Sequence, residues 1–300
     1  RMGRRVLRVA ASVLGVVVGL VLAAAGAFVI ANRTNGTIVS AGERRSYLLH
    51  VPESYDPTVP TPLVITIHGF AQWPAHQEGL SGWNDLADRD GFLVVYPSGT
   101  RLPLRWRANG DADGGQDIAF IADLIDRLSS EYHIDPARIY ANGLSNGAGM
   151  SFVLSCALSE RIAAIGLVGG AYLYPWEACT PQRPVPAIVF HGTDDPVVPF
   201  RGGASGPFPV PFPSIVEWVA ELAAHNGCAS EPASLPDVGS VSGIRYTGCA
   251  ADVLSFTVAG GGHTWPGGGY LPRWLAGHTN RDVDATEMMW EFFQKHPLPE

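Results

Sequence analysis

One serine in the chain has the sequence context that nucleophilic catalysis requires. Ser145 lies in Gly-Leu-Ser-Asn-Gly, residues 143–147, which has the G-x-S-x-G spacing of a nucleophile elbow. In such a turn the glycines let a strand and a helix pack closely, and the serine takes a strained conformation that presents its hydroxyl to substrate. The pattern alone is weak in a chain with 35 glycines. Its context supports it, because a strand-like run at 138–141 precedes it and an apolar helix-like run at 148–154 follows.

A histidine and an aspartate that could activate this serine follow it in the chain. A serine hydroxyl is a poor nucleophile at neutral pH and needs a histidine base, itself oriented by a carboxylate. Of nine histidines, His263 is the best candidate, since it follows a predicted strand and lies in a glycine-rich segment. Asp194 and Asp195 compete for the acid role, and we favour Asp195. His191 is predicted to shape the turn beside the acid. The order serine, aspartate, histidine is that of α/β-hydrolases.

Two backbone amides are predicted to stabilise the oxyanion of acyl transfer. The N–H of the residue after the nucleophile, Asn146, should supply one hydrogen bond. The second donor should come from the loop that follows the strand at residues 63–67, and Phe70 is the predicted residue there. The alternative is that His68 and Gly69 simply form a tight turn.

Four tryptophans fall in loops around the predicted cleft. Trp106 and Trp265 are predicted to contact substrate, while Trp73 and Trp274 are weaker candidates. All four could equally be packing residues.

The catalytic candidates all follow predicted strands, which places them at one edge of a sheet. Apolar, β-branched runs alternate with amphipathic helices, and this alternation predicts a mostly parallel central sheet with helices on both faces, as in the α/β-hydrolase fold. Active groups in such sheets gather at the carboxyl ends of the strands. The predicted strands are residues 37–39, 44–51, 63–67, 92–96, 138–141, 163–168, 187–190 and 253–258, and the main predicted helices are 83–90, 118–132, 148–154, 214–225 and one beginning near Asp284.

Length and charge restrict the class of protein. Three hundred residues with 46% hydrophobic content suffice for one large domain, predicted at residues 44–300 after a linker and first strand at 32–43. The formal net charge is −8, and the chain has a single lysine, Lys295. Such an acidic chain argues against nucleic acid and anionic membrane surfaces as partners.

The N-terminal segment, residues 1–31, is predicted to be a signal peptide or a signal anchor. Four arginines precede an uncharged run at residues 9–31, which is long enough to span a bilayer, and an A-x-A cleavage site at 25–27 keeps both alternatives open. With either a signal peptide or a signal anchor, the basic flank is expected to keep the N-terminus cytoplasmic. The rest of the chain is then expected outside the cell, either secreted or anchored on the outer face of the membrane.

The four cysteines are expected to form two disulfides in that oxidising compartment. Three pairings are possible, and we favour the pairs close in sequence, Cys156 with Cys179 and Cys228 with Cys249. Metal ligation is disfavoured, because there is no C-x-x-C motif and no nearby histidine.

An acidic loop at residues 111–117 partly matches a calcium-binding loop. Position twelve of that pattern is Ala122 rather than glutamate, so we favour a solvated loop in which Asp117 caps the following helix.

Four motifs in one order give the chain a family resemblance. The motifs are Ile-His-Gly-Phe at residues 67–70, Gly-Leu-Ser-Asn-Gly-Ala-Gly-Met at 143–150, His-Gly-Thr-Asp-Asp-Pro-Val-Val-Pro at 191–199 and Gly-Gly-His-Thr-Trp-Pro-Gly at 261–267. With them, the chain resembles the extracellular polyhydroxybutyrate depolymerase and feruloyl esterase group of α/β-hydrolases, over about residues 44–297. The resemblance implies hydrolysis of carboxylic esters without a cofactor or metal, with Ser145 as nucleophile, Asp195 as acid and His263 as base.

The expected protein is therefore a monomeric, secreted serine esterase that acts on a small-molecule or polymer-linked ester. Membrane contact is expected only through residues 9–31, if they are retained. The alternative is a hydrolase-fold binding protein that has lost activity and is tethered to the membrane.

Overall fold

A computed structural model describes residues 33–111, 114–206 and 208–299 of the chain. The predicted signal peptide or anchor lies outside these residues. Within them, no helix combines the length and hydrophobicity needed to cross a bilayer.

A ten-stranded sheet organises the fold, with strand order β1-β2-β4-β3-β5-β6-β7-β12-β11-β10. The six central strands, from β4 to β12 in that order, run parallel, whereas the pairs at both margins are antiparallel. A separate hairpin is formed by β8 and β9. The strands are β1 Gly36–Ser40, β2 Glu43–His50, β3 Thr61–Ile67, β4 Leu93–Pro97, β5 Ile134–Leu144, β6 Ala164–Val168, β7 Ala187–Gly192, β8 Gly203–Ser205, β9 Phe208–Phe212, β10 Ala233–Val238, β11 Val241–Arg245 and β12 Val253–Val258.

The central strands are continuous apolar runs because both faces of the sheet are covered. Every residue of β3, β4, β6 and β7 is buried, as expected for parallel strands between helical layers. The described helices are α1 Pro74–Ser81, α2 Trp83–Asp90, α3 Gly115–Glu131, α4 Asn146–Ala157, α5 Ile215–His225, α6 Arg273–Ala276 and α7 Ala285–Gln294.

Two hydrophobic clusters lie on opposite faces of the sheet. One contains side chains of α3, α4 and α5, including Phe120, Phe152 and Trp218. The other contains side chains of α1, α2 and α7, including Trp83 and Phe293. The predicted α/β architecture with helices on both faces is thereby confirmed.

The terminal helix begins where its capping residue predicts. Asp284 accepts hydrogen bonds from the backbone N–H groups of Thr286 and Glu287 at 2.9 and 3.1 Å, which satisfies two of the amides that a helix leaves unpaired at its start.

Several elements lie where the sequence predicts none. The proline-rich stretch at residues 208–212 forms strand β9, which pairs with β8. Strands β10 and β11 extend the sheet beyond β12. Most of β10 is exposed, so it lacks the apolar alternation by which strands are recognised. Strand β1 pairs with β2, and the compact unit accordingly begins at Thr34.

Both disulfides join the cysteines that are close in sequence. Cys156 pairs with Cys179 and Cys228 with Cys249, at separations of 23 and 21 residues. The predicted pairing is confirmed. By the chain-entropy model, each loop of this size contributes about 3 kcal/mol of stability.

Candidate active site

Ser145 occupies the sharp turn between β5 and α4. Its backbone angles are φ 59° and ψ −120°, a region that residues with a side chain rarely adopt. The glycines on both sides of the serine leave no room for a side chain. A Cβ added at Gly147 would lie 2.1 Å from the carbonyl oxygen of Ile67, and a Cβ added at Gly143 would lie 2.6 Å from the same atom. The serine is therefore held against the end of β3 by a strained turn that packs closely only with glycine at both positions.

Asp195 and His263 form a buried hydrogen-bonded pair. Asp195 Oδ2 lies 2.7 Å from His263 Nδ1, and Asp195 Oδ1 accepts the N–H groups of Val197 and Val198, both at 2.8 Å. Burial alone would raise the pKa of Asp195, but the nearby imidazoles and the amide donors outweigh burial and hold the pKa below its ordinary value. The carboxylate thus stays ionised and fixes the ring of His263, leaving Nε2 for a proton from the nucleophile.

Asp194 and His191 have other roles in this region. Asp194 accepts a hydrogen bond from the hydroxyl of Thr193, and Asp195 is the carboxylate that meets the His263 imidazole. His191 Nε2 lies 2.9 Å from the carbonyl oxygen of Val198 and 3.4 Å from Asp195 Oδ2, and it closes the turn around the acid as predicted. Burial lowers the pKa of His191, which keeps its ring neutral.

A glycine that sequence reasoning missed separates the elbow from the acid–base pair. The amide of Ser145 donates to the carbonyl of Val168 at 2.9 Å. The next residue, Gly169, has φ 51°, and a Cβ there would lie 3.2 Å from His263 Nδ1 and 3.5 Å from Asp195 Oδ2. Any side chain at this position would crowd the pair. The available signal was a pair of glycines directly after β6.

No hydrogen bond joins Ser145 Oγ to His263 among the described contacts. Catalytic hydrogen bonds of this type often form only once substrate is bound. The serine is 7% exposed and lines a cavity, so its hydroxyl can be reached by a ligand.

The loop after β3 runs directly against the serine. A Cβ on Gly69 would lie 3.3 Å from the Cβ of Ser145. The amide of Gly69 is already used by Gln72 Oε1 at 2.9 Å, whereas the amides of Phe70 and Asn146 make no hydrogen bond to another described residue. These two amides are therefore available as donors beside the nucleophile.

A cavity of about 190 Å³ opens over Ser145. Part of its lining is apolar, and there Phe70 and Phe208 meet edge to face with ring centroids 5.6 Å apart. The lining also contains three arginines and one aspartate. The cavity is lined by Phe70, Arg101, Arg105, Trp106, Arg107, Ala108, Asn109, Asp111, Ser145, Asn146, Ala171, Leu173, Val197, Val198, Phe208 and Phe212.

The predicted aromatic contacts separate into different roles. Trp106 lines the cavity but is only 2% exposed. Trp265 is fully buried, and its indole N–H donates to Thr286 Oγ1 at 2.9 Å. The prediction that Trp265 contacts substrate is therefore corrected to a packing role, because the ring belongs to the core under α7. Trp274 is 85% exposed on α6, and Trp73 is the N-cap of α1.

Asp117 is a buried carboxylate paired with two arginines, so the prediction that it caps a helix is wrong. It is the third residue of α3 and is fully buried. Its Oδ1 lies 2.9 Å from Arg45 and 3.2 Å from Arg107, and its Oδ2 accepts the Arg107 N–H at 2.9 Å. The distant Arg45, on β2, gave no local sequence signal for this arrangement.

The imidazole of His68 is buried beneath the cavity, and its pKa leads to a testable pH dependence. Burial lowers this pKa to about 4, against the opposing effect of a hydrogen bond to Gly69, while an exposed histidine titrates near 6.5. Between pH 4 and about 6.5 the unfolded chain therefore binds more protons at His68 than the folded chain does. The free energy of unfolding falls as the pH decreases through this range. We expect His68 to contribute roughly 3 kcal/mol to this loss.

Urea denaturation at several pH values tests this expectation. The free energy of unfolding of the wild type should decrease toward pH 4, and a His68→Gln variant should show a shallower decrease, since glutamine at position 68 does not titrate. Equal slopes for the two proteins would contradict the assignment.

Comparisons with known proteins identify esterase relatives of this chain. The profile of the polyhydroxybutyrate depolymerase esterase family matches residues 45–179. NocK of Nocardia uniformis subsp. tsuyamanensis, which is named as an esterase, is 30% identical over 87% of this chain and 83% of its own. Feruloyl esterase C of Emericella nidulans is 28% identical over 87% of both chains.

Solved structures share the fold at low sequence identity. An acetyl xylan esterase from Aspergillus awamori superposes with a TM-score of 0.63 at 16% identity, covering 86% of this chain and 98% of its own. A ferulic acid esterase from Anaeromyces mucronatus gives 0.55 at 14% identity, covering 88% and 90%. These structures show the shared fold. The family profile and the sequence relatives establish that the chain belongs to the polyhydroxybutyrate depolymerase and feruloyl esterase group of α/β-hydrolases and is a carboxylic ester hydrolase.

Proposed function

We propose that the chain hydrolyses esters through an acyl-enzyme on Ser145. In the first step Ser145 Oγ attacks the ester carbonyl carbon while His263 Nε2 takes the hydroxyl proton. The tetrahedral intermediate collapses, the C–O bond to the alcohol breaks, and His263 gives its proton to the departing oxygen. Water then attacks the acyl carbonyl, losing a proton to the same histidine, and the acid product leaves Ser145 free.

The developing oxyanion is assigned to the amides of Phe70 and Asn146. Both amides lie on segments that touch Ser145, and neither has another described partner. Donors placed in advance in this way stabilise charge in the transition state more than in the substrate, which has a less charged carbonyl oxygen.

The observation that carries the proposal is the buried 2.7 Å hydrogen bond between Asp195 and His263 beside a serine in a left-handed elbow. Surface histidines and turn aspartates are common, but this pair lies against Gly169, where a Cβ would be 3.2 Å from His263 Nδ1, and the residue before Gly169 accepts the Ser145 N–H. A purely structural pair would not explain why the elbow is strained or why the serine lines a cavity.

The proposed substrates are small or polymer-linked carboxylic esters outside the cytoplasm. An apolar wall around Ser145 suits an acyl group with aromatic or aliphatic character. The relatives named above as feruloyl and acetyl xylan esterases support esters on a polysaccharide, and the family name supports hydroxybutyrate esters. Two disulfides favour an oxidising, extracellular location.

Covalent labelling with a fluorophosphonate tests the proposed function. The reagent phosphonylates an activated serine, so we expect one adduct per chain, located by peptide mass spectrometry at Ser145, and complete loss of esterase activity. A protein that remains unlabelled would instead fit the inactive, tethered binding protein. Assays of feruloyl, acetyl and hydroxybutyrate esters side by side would then rank the substrate classes.

A further inference from the structure

The backbone of Trp106 and the side chain of Asn146 are joined by two hydrogen bonds. The Trp106 N–H donates to Asn146 Oδ1 at 2.7 Å, and Asn146 Nδ2 donates to the Trp106 carbonyl at 3.1 Å. Asn146 therefore contributes in two ways. Its backbone amide, at the cavity, is a proposed oxyanion donor, and its side chain is hydrogen-bonded to the neighbouring loop.

The indole of Trp106 continues this connection to the other side of the cavity. Its Nε1–H donates to the carbonyl of His68 at 3.0 Å, and its ring stacks on Phe120 with an interplanar angle of 7°. His68 immediately precedes Gly69 and Phe70, the segment that supplies the second proposed donor.

The ring of His68 is fixed by bonds on both nitrogens. Nε2 accepts the N–H of Gly99 at 2.9 Å, and Nδ1 lies 2.8 Å from the carbonyl oxygen of Gly69. An acceptor at Nε2 requires the neutral tautomer that carries its proton on Nδ1. The lowered pKa of this buried ring agrees with that form. The imidazole thus fixes the position of Gly69 directly beneath Ser145.

The residue after Trp106 is anchored to a different element. Arg107 N–H donates to Asp117 Oδ2 at 2.9 Å, and Asp117 is fully buried on α3. The loop is consequently held on one side by Asn146 and on the other by Asp117, so Trp106 has little freedom to move.

We infer that Trp106 and the Asn146 side chain form a clamp that sets the distance between the two proposed oxyanion donors, the amides of Phe70 and Asn146. Trp106 is then a positioning residue, and its predicted contact with substrate is secondary. This inference rests on the proposed function, since it concerns the donors assigned there.

A clamp is needed because the two donors come from separate chain segments. Phe70 follows β3, and Asn146 begins α4. Oxyanion stabilisation requires donors about 2.7–3.1 Å from the developing charge, and displacements of roughly 0.5–1 Å greatly reduce it. Trp106 is the residue that bonds to both segments, through its backbone to one and its indole to the other.

Two substitutions each remove a hydrogen-bonding group of the clamp but keep the backbone N–H groups of both donor residues. Trp106→Phe removes the indole N–H, and Asn146→Ala removes the side chain but keeps the backbone N–H. The matched control is Trp290→Phe, which removes a buried indole N–H from Asp90 on the far side of the protein. All proteins are assayed below the melting transition of the least stable variant.

The expected result is a selective loss of transition-state stabilisation. For a soluble ester, kcat should fall about 10- to 100-fold in each clamp variant, with KM changed by less than about threefold. Affinity for phenylboronic acid, whose adduct with the serine places an oxygen in the oxyanion position, should fall in parallel. The double variant should lose less than the product of the single effects, because both changes disturb one distance.

A different pattern would overturn the inference. If both clamp variants keep kcat within about twofold of wild type, as expected for Trp290→Phe, the contacts are only structural. A rise in KM at constant kcat would instead make Trp106 a substrate contact. Both outcomes leave the acyl-enzyme proposal standing, because that proposal is tested separately by labelling wild-type Ser145 with the fluorophosphonate.

Discussion

Ser145→Ala should lower kcat/KM for every ester substrate by roughly 10⁴- to 10⁶-fold. Without Oγ no acyl-enzyme can form, and the remaining rate would come from water attacking a substrate held by the oxyanion donors. The fold should be retained, because the hydroxyl of Ser145 makes no described hydrogen bond whose loss would leave a buried partner unsatisfied. Steady-state kinetics and thermal unfolding measured on the same preparation check both parts.

Ser155, in the helix that follows Ser145, offers a matched control. Its hydroxyl donates to the carbonyl of Phe152, and the side chain is buried as that of Ser145 is. Ser155→Ala should leave kcat/KM within about threefold of wild type. A Ser145→Ala variant that retains more than about a tenth of the wild-type rate would contradict the nucleophile assignment.

Asp117→Ala should destabilise the fold by about 3–5 kcal/mol, the largest effect expected for a single substitution outside the catalytic groups. The change leaves Arg45 in the interior without its carboxylate, and burial already lowers the pKa of that guanidinium. It also removes the acceptor for the Arg107 N–H, which helps to hold the loop that carries Trp106. Denaturant unfolding with a common m-value measures the difference in free energy.

An exposed ion pair provides the comparison for this substitution. Asp126 bonds to Arg161 at 2.6 Å but is 68% exposed, and such pairs contribute about 0–1 kcal/mol. Asp126→Ala should therefore have little effect. If the Asp117 and Asp126 variants lose similar amounts of unfolding free energy, burial does not explain the stabilising effect of the Arg45–Asp117–Arg107 group.

Local sequence patterns were enough to predict the central strands of the sheet and the pairing of Asp195 with His263. Strand β12 has the predicted bounds, and β3 and β4 differ from theirs by one or two residues, because a parallel strand buried on both faces is a continuous apolar run. The aspartate and the histidine were predictable because each lies in the loop that follows a strand of the parallel sheet. Parallel strands bring such positions to one edge.

The parts that sequence reasoning missed depend on contacts between distant segments. Asp117 resembled a helix cap until the fold placed Arg45, 72 positions earlier, against it. Trp265 resembled a cleft residue because it follows His263 by two positions, yet packing beneath α7 turns its ring inward. The roles of Gly169 and of the Trp106–Asn146 clamp depend on contacts with residues that are distant in sequence, so local sequence patterns could not predict them.

Trapping the covalent intermediate is the most direct test of the account. Wild-type enzyme is mixed with a p-nitrophenyl ester of a slowly hydrolysed acid, quenched in acid within the first turnover and digested for mass spectrometry. We predict a burst of one p-nitrophenol per chain and an acyl adduct on the peptide that contains Ser145. Turnover without a burst and without an adduct on Ser145, or an adduct on another residue, would contradict the proposed mechanism.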